Sequence, residues 1–324
     1  MAKRTIVFRA DGSTTIGMGH FTRTLALAEM LNEHFYCVFA TRQPTEYQTS
    51  EIGKVCSGQI DLPADDSHFD RFLEYLQGNE IVVLDNYYYT TEYQKAIKSK
   101  GCKLVCIDDM HDKHFVADIV INHAEGIDPH IYSKESYTKL LLGFQYALIR
   151  KEFRRPVEKY EKQYSCLLIM GSADPLDLSK KFIQLLREYD LEKPVAIVSA
   201  SKPEAPKVLW FSCLNALEIS VLMDKSEFGI FPASTVAIEA CARQLPFVAG
   251  YYIDNQKCLY EGLKKNALAL CVGNLATTKE EQLKQAIRDM AREEVRNSII
   301  LAQRTQLDRQ TKDRFVDIFK GIWN

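Results

Sequence analysis

The chain has 324 residues, 46% of them hydrophobic and 26% charged, with a formal net charge of −2. That length exceeds what one core usually holds, so two domains are expected. The balanced charge excludes a global basic field for nucleic acid, and no apolar run approaches the ~18 residues of a membrane span.

In chain order, the start MAKRTIVFRA reads as a strand at 5–10 and not as a signal peptide, because its apolar run is too short. A glycine-broken turn, STTIGMG, leads into an expected helix over 19–34, with Phe21, Leu25, Ala28 and Leu31 near helical spacing. Strands are expected at 35–40, 81–85, 103–108 and 118–122, with a helix over 91–100. Continuous apolar strands between helices indicate a parallel sheet covered on both faces.

The pattern pauses at RKEFRRPVEKYEKQY, 150–164, which is charged and has little apolar periodicity. We place a boundary there, giving domains over 1–152 and 160–324. The second domain repeats the alternation. Strands are expected at 165–170, 194–199, 227–231 and 246–250, with helices over 176–189, 218–225, 234–244 and 255–266. The tail from Thr278 to Asn324 reads as helical throughout. The predicted fold class is α/β, with two Rossmann-like parallel sheets.

Nine cysteines, mostly inside apolar runs, read as buried reduced thiols, which points to the cytoplasm. Cys102 and Cys106 share one strand-like segment with no second pair nearby, so no metal site is read there. The acidic run Asp108-Asp109-Met-His111-Asp-Lys-His114 lacks a strict Asp-x-Asp and reads as a polar loop with a salt-linked aspartate. No metal and no cofactor are expected.

Ligands of open α/β sheets sit outside the carboxyl ends of the strands, so the loops there are where chemistry is sought. Gly17 and Gly19 permit positive φ and close approach of a ligand, and the helix that follows offers unpaired N–H groups. His20 stands at its mouth. A neutral imidazole there takes a proton from water or a hydroxyl, worth about 10²–10⁴ in rate; the competing reading is that it caps the helix or packs on the loop. Asp11 either orients that imidazole, holds a sugar hydroxyl or serves the Asp-Gly-Ser turn. Tyr87 to Tyr89, at another strand end, either pack or touch a sugar. GSADP and PAST place small residues where a phosphate reaches backbone N–H groups. Ser234 and Thr235 can cap a helix and donate to that phosphate. Glu239, one turn on, either accepts from both ribose hydroxyls or faces solvent; its small, apolar neighbours favour the former.

Taken together, FRADGSTTIGMGHFTR, VLDNYY, IDDMH, GFQYALIRKEF, MGSADP, ASTVAIEA and Asn255-Gln256 resemble the UDP-2,4-diacetamido-2,4,6-trideoxy-β-L-altropyranose hydrolases of pseudaminic acid biosynthesis. The motifs occur in family order over roughly residues 5 to 270. The resemblance implies a GT-B type fold, two Rossmann-like domains facing across a cleft, and a UDP-sugar as the bound partner. It implies His20 as the catalytic histidine, Tyr87 near the sugar and Asn255 at the nucleotide-sugar. UDP would be held by Gly171, the 233–236 segment with Ser234, Thr235 and Val236, and Glu239, with Ser172 and Asp174 in the MGSADP loop. Ser172 departs from the family's second glycine, and the long helical tail exceeds its short form; such a tail would brace the domains or make an oligomer contact.

The mechanism expected is attack of a water, deprotonated by His20, on the anomeric carbon from the face opposite UDP, with inversion and without a metal. Asp11 and Tyr87 would orient sugar and water. A GT-B glycosyltransferase would use the same residues on an acceptor hydroxyl, and a non-catalytic nucleotide-sugar binder would gain little from a base.

Overall fold

A computed structural model describes residues 3–13, 17–171, 174–189, 191–212 and 214–323. The first unit runs β1 (Thr5–Ala10), α1 (Gly19–Leu31), β2 (Tyr36–Arg42), α2 (Glu46–Val55), β3 (Gly58–Leu62), α3 (Ser67–Tyr75), β4 (Ile81–Asp85), α4 (Thr91–Ser99), β5 (Lys103–Ile107), β6 (Ile119–Asn122) and β7 (Lys139–Leu142). These strands pair in the order β3-β2-β1-β4-β5-β6-β7, every pair parallel. Central β4 is buried at all five positions because helices cover both faces. Leu27, Met30 and Leu31 of α1 fill one face, and Phe72 of α3 with Ile97 of α4 fill the other.

The second unit runs α5 (Lys151–Arg154), β8 (Tyr164–Ile169), α6 (Leu178–Leu186), β9 (Val195–Val198), β10 (Val208–Phe211), α7 (Ala216–Asp224), β11 (Ser226–Pro232), α8 (Thr235–Ala242), β12 (Phe247–Tyr251), α9 (Lys257–Lys265), β13 (Leu270–Asn274), α10 (Glu280–Ala291) and α11 (Glu293–Gln306). Its strands pair in the order β10-β9-β8-β11-β12-β13, again all parallel. In each sheet the order reverses once, between β1 and β4 and between β8 and β11. At such a switch point the connections leave in opposite directions and open a crevice at the carboxyl ends.

The elements that sequence reading passed over are mostly peripheral. β3, β7, β10 and β13 lie at or beside a sheet edge and are only partly buried, so their sequences (GQIDL, KLLL, VLWF, LCVGN) carry no long apolar run or clean alternation.

The tail differs from expectation. It is not one helical extension of the second domain. The compact units are residues 1–150 with 309–324, and residues 151–308. The last helix, α12 (Thr311–Gly321), packs on α1 in the first unit. Phe315, Val316 and Phe319 are buried in the same cluster as Leu27 and Phe35. Lys312 pairs with Glu33 at 2.6 Å, and Thr311 Oγ1 donates to the Gln145 carbonyl at 3.4 Å. The physical reason is the apolar stripe Phe315, Val316, Phe319, which covers α1. Phe319 is fully buried and meets the Phe35 ring edge-on at 6.4 Å. Phe319→Ala is expected to destabilise the first unit by about 3–5 kcal/mol. Urea unfolding followed by Trp323 fluorescence reads this, and an unchanged midpoint would contradict the packing role of α12.

Candidate active site

Two constellations stand at the two switch points. In the first unit, α1 begins directly after the glycine turn, and its first two turns present His20, Arg23 and Thr24 at i, i+3 and i+4, one face of a helix. All three converge on Asp85, the last residue of β4. His20 Nδ1 lies 2.7 Å from Asp85 Oδ1. Arg23 donates from Nη2 to Oδ1 and from Nε to Oδ2, each at 2.7 Å, and Thr24 Oγ1 donates to Oδ2 at 2.8 Å. Arg23 Nη1 reaches Asp109 Oδ2 at 2.8 Å, so one buried guanidinium joins two carboxylates. Tyr87 donates from Oη to the same Asp109 oxygen at 3.3 Å, and its ring stands edge-on to His20 at 4.5 Å.

Burial alone would raise the Asp85 carboxyl, but the Arg23 guanidinium, and after it His20, hold it well below the usual carboxylate range. An ionised Asp85 accepts the Nδ1 proton of His20, which assigns the tautomer with an acceptor lone pair on Nε2. Arg23 Nη2 also lies 3.2 Å from Nδ1; with the proton there, that is a contact between donors and not a bond. Nε2 makes no hydrogen bond among the described residues. His20 does not cap α1, whose N-terminus has no side-chain cap bond. Two carboxylates against one guanidinium leave the cluster one net negative charge, so a proton taken up by His20 neutralises it.

Of the readings open for Asp11, contact with the imidazole is not seen; the carboxylate that meets His20 is Asp85. The Asp11 carboxylate is taken up by cations and donors of its own: Arg9, Tyr88, Thr41 Oγ1 at 3.2 Å, and Arg42 through N at 2.8 Å and Nε at 2.6 Å. It is the hub of a second buried network after β1, into which His68 Nδ1 also faces, 3.2 Å from Arg9 Nη2. Asp85, Arg23 and Thr24 were not singled out as site residues from sequence. The signal present was the spacing of His20, Arg23 and Thr24, together with an aspartate closing an otherwise apolar strand.

Asp109 is the salt-linked aspartate of the 108–114 loop. Asp108 is buried, accepts from the His111 N–H at 2.8 Å and from Tyr132 at 3.1 Å, and is pushed up by that burial. No group of three or more metal-ligating side chains occurs among the described residues.

These buried groups make the first unit sensitive to acid. Burial, with Arg9 and Arg42 beside it, holds His68 down to about 4, and burial with Arg23 nearby holds His123 down to about 4. An unfolded histidine takes its proton near pH 6.5, so between about 6.5 and 4 the unfolded chain binds more protons than the folded one. Stability is therefore expected to fall as pH is lowered through that window. Asp11 and Asp85, both held well below the ordinary range, extend the loss further down. Urea midpoints between pH 7.5 and 4.5 test this; a flat profile would contradict it.

In the second unit, β8 runs out at Gly171, whose φ of +94° suits glycine alone, and where an added Cβ would meet only the Tyr252 hydroxyl at 3.7 Å. Gly17 also sits at positive φ, +79°, whereas Gly19 is simply the first residue of α1. Ser172 lies outside the described residues. Asp174 accepts the N–H groups of Leu178 and Ser179, each at 2.9 Å, so its carboxylate holds the start of α6. Ser234, Thr235 and Val236 are half-buried at the N-terminus of α8, where helix N–H groups lack intrahelical partners. Glu239 is 2% exposed, which rules out the solvent-facing reading. Asn255 is half-buried in the short helical turn after β12.

No helix among the described residues is long and apolar enough to cross a membrane. No family model matches the sequence. Among curated proteins, the chain is 29% identical over 280 residues to the UDP-2,4-diacetamido-2,4,6-trideoxy-β-L-altropyranose hydrolase of Campylobacter jejuni, covering 80% of this chain and 96% of that protein. It is 25% identical over 189 residues to a Helicobacter pylori protein described as pseudaminic acid cytidylyltransferase and UDP-2,4-diacetamido-2,4,6-trideoxy-β-L-altropyranose hydrolase, covering 56% of this chain and 35% of that one. Among solved structures, MurG of Acinetobacter baumannii superposes with a TM-score of 0.66 at 14% identity, over 98% of this chain and 99% of that one. The resemblance read from the motifs thus holds across most of the chain, and the fold is the two-Rossmann, GT-B type.

Proposed function

We propose that the chain hydrolyses a UDP-linked diacetamido-trideoxy amino sugar to UDP and free sugar, in pseudaminic-type acid or surface polysaccharide biosynthesis. The extent of likeness to the Campylobacter hydrolase supports the substrate class, and the His20–Asp85 pair supports the chemistry. That pair is the observation on which the reading rests: a buried carboxylate fixes the imidazole so that Nε2 is free to accept a proton.

In the proposed reaction His20 Nε2 takes a proton from water as the water oxygen bonds to the anomeric carbon. The bond from that carbon to the UDP oxygen breaks, and its electron pair leaves with UDP. Attack from the opposite face gives inversion. The negative cluster of Asp85, Asp109 and Arg23 stabilises the imidazolium that forms. UDP is already a good leaving group, so no metal is invoked. Its developing charge is met by the α8 N-terminus with Ser234, Thr235 and Val236 and by the open backbone at Gly171; Glu239 accepts from the ribose and Asn255 contacts the nucleotide-sugar. Tyr87, held by Asp109, orients sugar and water. The eight described cysteines carry no disulfide, in keeping with a reducing, cytoplasmic setting.

The test is release of UDP from a UDP-diacetamido-trideoxy sugar with no acceptor present. Release only when an acceptor is added makes the chain a glycosyltransferase instead, and no release from any donor makes it a binder.

A further inference from the structure

A second buried imidazole stands at the same end of the same sheet and has no part in the mechanism above. His123 follows β6, two strands along from β4. Its backbone is pinned on both sides. Asn122 Oδ1 accepts the Ala124 N–H at 3.0 Å, and Asn122 Nδ2 donates at 2.9 Å to Tyr132 Oη, which donates to Asp108 at 3.1 Å. His123 is 6% exposed, and the charges that act on its ring are Arg23, Asp109 and Asp85, the cluster that holds His20. The Leu148 N–H points at His123 Nδ1, 3.4 Å away, and a backbone N–H only donates. Nδ1 is therefore the acceptor and Nε2 carries the proton. The ring turns Nε2 away from Leu148, and Nε2 has no hydrogen-bond partner among the described residues.

The two imidazoles are thus set in opposite tautomers, one presenting a lone pair and the other an N–H. We propose that His123 is a specificity-determining donor, its Nε2–H bonding the carbonyl oxygen of an acetamido group on the sugar; this rests on the amino-sugar reading above. The ligand chemistry follows from the surroundings. A phosphate or carboxylate is disfavoured beside a cluster that is net negative. A hydroxyl donates or accepts at will and needs no fixed tautomer. An amide carbonyl is neutral, accepts only, and matches a neutral fixed donor. A site with that donor also disfavours the hydroxyl analogue, whose oxygen sits two bonds closer to the sugar ring than the acetamido carbonyl oxygen and leaves the N–H without that acceptor.

The test uses His123→Asn, which keeps an acceptor for Leu148 but loses the Nε2 donor, and His123→Gln, which places an amide N–H near Nε2. Each is compared with the parent on a UDP-diacetamido sugar and on the analogue carrying hydroxyls in place of the acetamido groups. UDP release is followed, and calorimetric binding is measured in the His20→Ala background. Asn is expected to lower kcat/KM and affinity about 5- to 10-fold on the acetamido substrate and hardly at all on the analogue, with Gln recovering part of the loss and the pH profile unchanged. An Asn variant that is folded and equal to the parent, or that loses equally on both sugars, overturns the proposal. A parent that binds but never releases UDP overturns the hydrolase reading alone, and the binding difference then decides the role of His123.

Discussion

Replacing His20 with alanine is expected to lower UDP release about 10²–10⁴-fold while leaving UDP binding close to that of the parent. The separation follows from where the groups lie. The groups proposed to hold the nucleotide, Gly171 and α8, belong to the second unit, whereas His20 belongs to α1 of the first. Loss of the imidazole also leaves its neighbours paired. Asp85 keeps both bonds from Arg23 and the bond from Thr24, and Arg23 keeps Asp109. No buried charge is orphaned, so the variant should remain folded, and its loss of rate is a loss of chemistry. Turnover assayed with and without acceptor, beside calorimetry with UDP, checks both halves. Near-normal turnover would remove His20 from the mechanism, and a parallel collapse of UDP affinity would mean that the substitution acts through structure.

What was legible in the sequence is the part governed by local pattern. Continuous apolar runs such as IVVLD and SCLLIM marked the central strands because burial on both faces demands them. The turn before His20 was legible because Gly17 needs positive φ. Glu239 was legible as buried from its neighbours Ile238 and Ala240. What escaped is set by tertiary contact. Asp11 follows β1 and Asp85 ends β4, and nothing in their local sequence says which faces α1; adjacency of β1 to β4 and the helix phase of His20, Arg23 and Thr24 decide it. The destination of α12 escaped for the same reason, since an apolar stripe states that a face is covered but not by which unit.

Asp85→Asn is the sharper experiment, because it changes one atom and is expected to act twice. The carboxylate has two ends with different demands. Oδ2 receives Arg23 Nε and Thr24 Oγ1, while Oδ1 receives Arg23 Nη2 and faces His20 Nδ1. An asparagine has one oxygen for these donors. Arg23 donates on both sides and cannot choose between them; where the carbonyl goes to the Oδ2 side, with Arg23 Nε and Thr24, the NH₂ turns toward His20. Nδ1 must then accept, the ring proton moves to Nε2, and the nitrogen proposed to take a proton from water becomes a donor. The rate is expected to fall toward the ~10⁴-fold loss seen when a catalytic imidazole is held in the wrong tautomer. The second effect is on stability. Among the described residues Arg23 then keeps only Asp109 as a charged partner, and breaking a buried pair from one side costs about 3–5 kcal/mol. The two effects separate if turnover is measured well below the lowered melting midpoint. A folded Asp85→Asn protein with turnover within about threefold of the parent would show that Asp85 holds Arg23 but does not set the His20 tautomer.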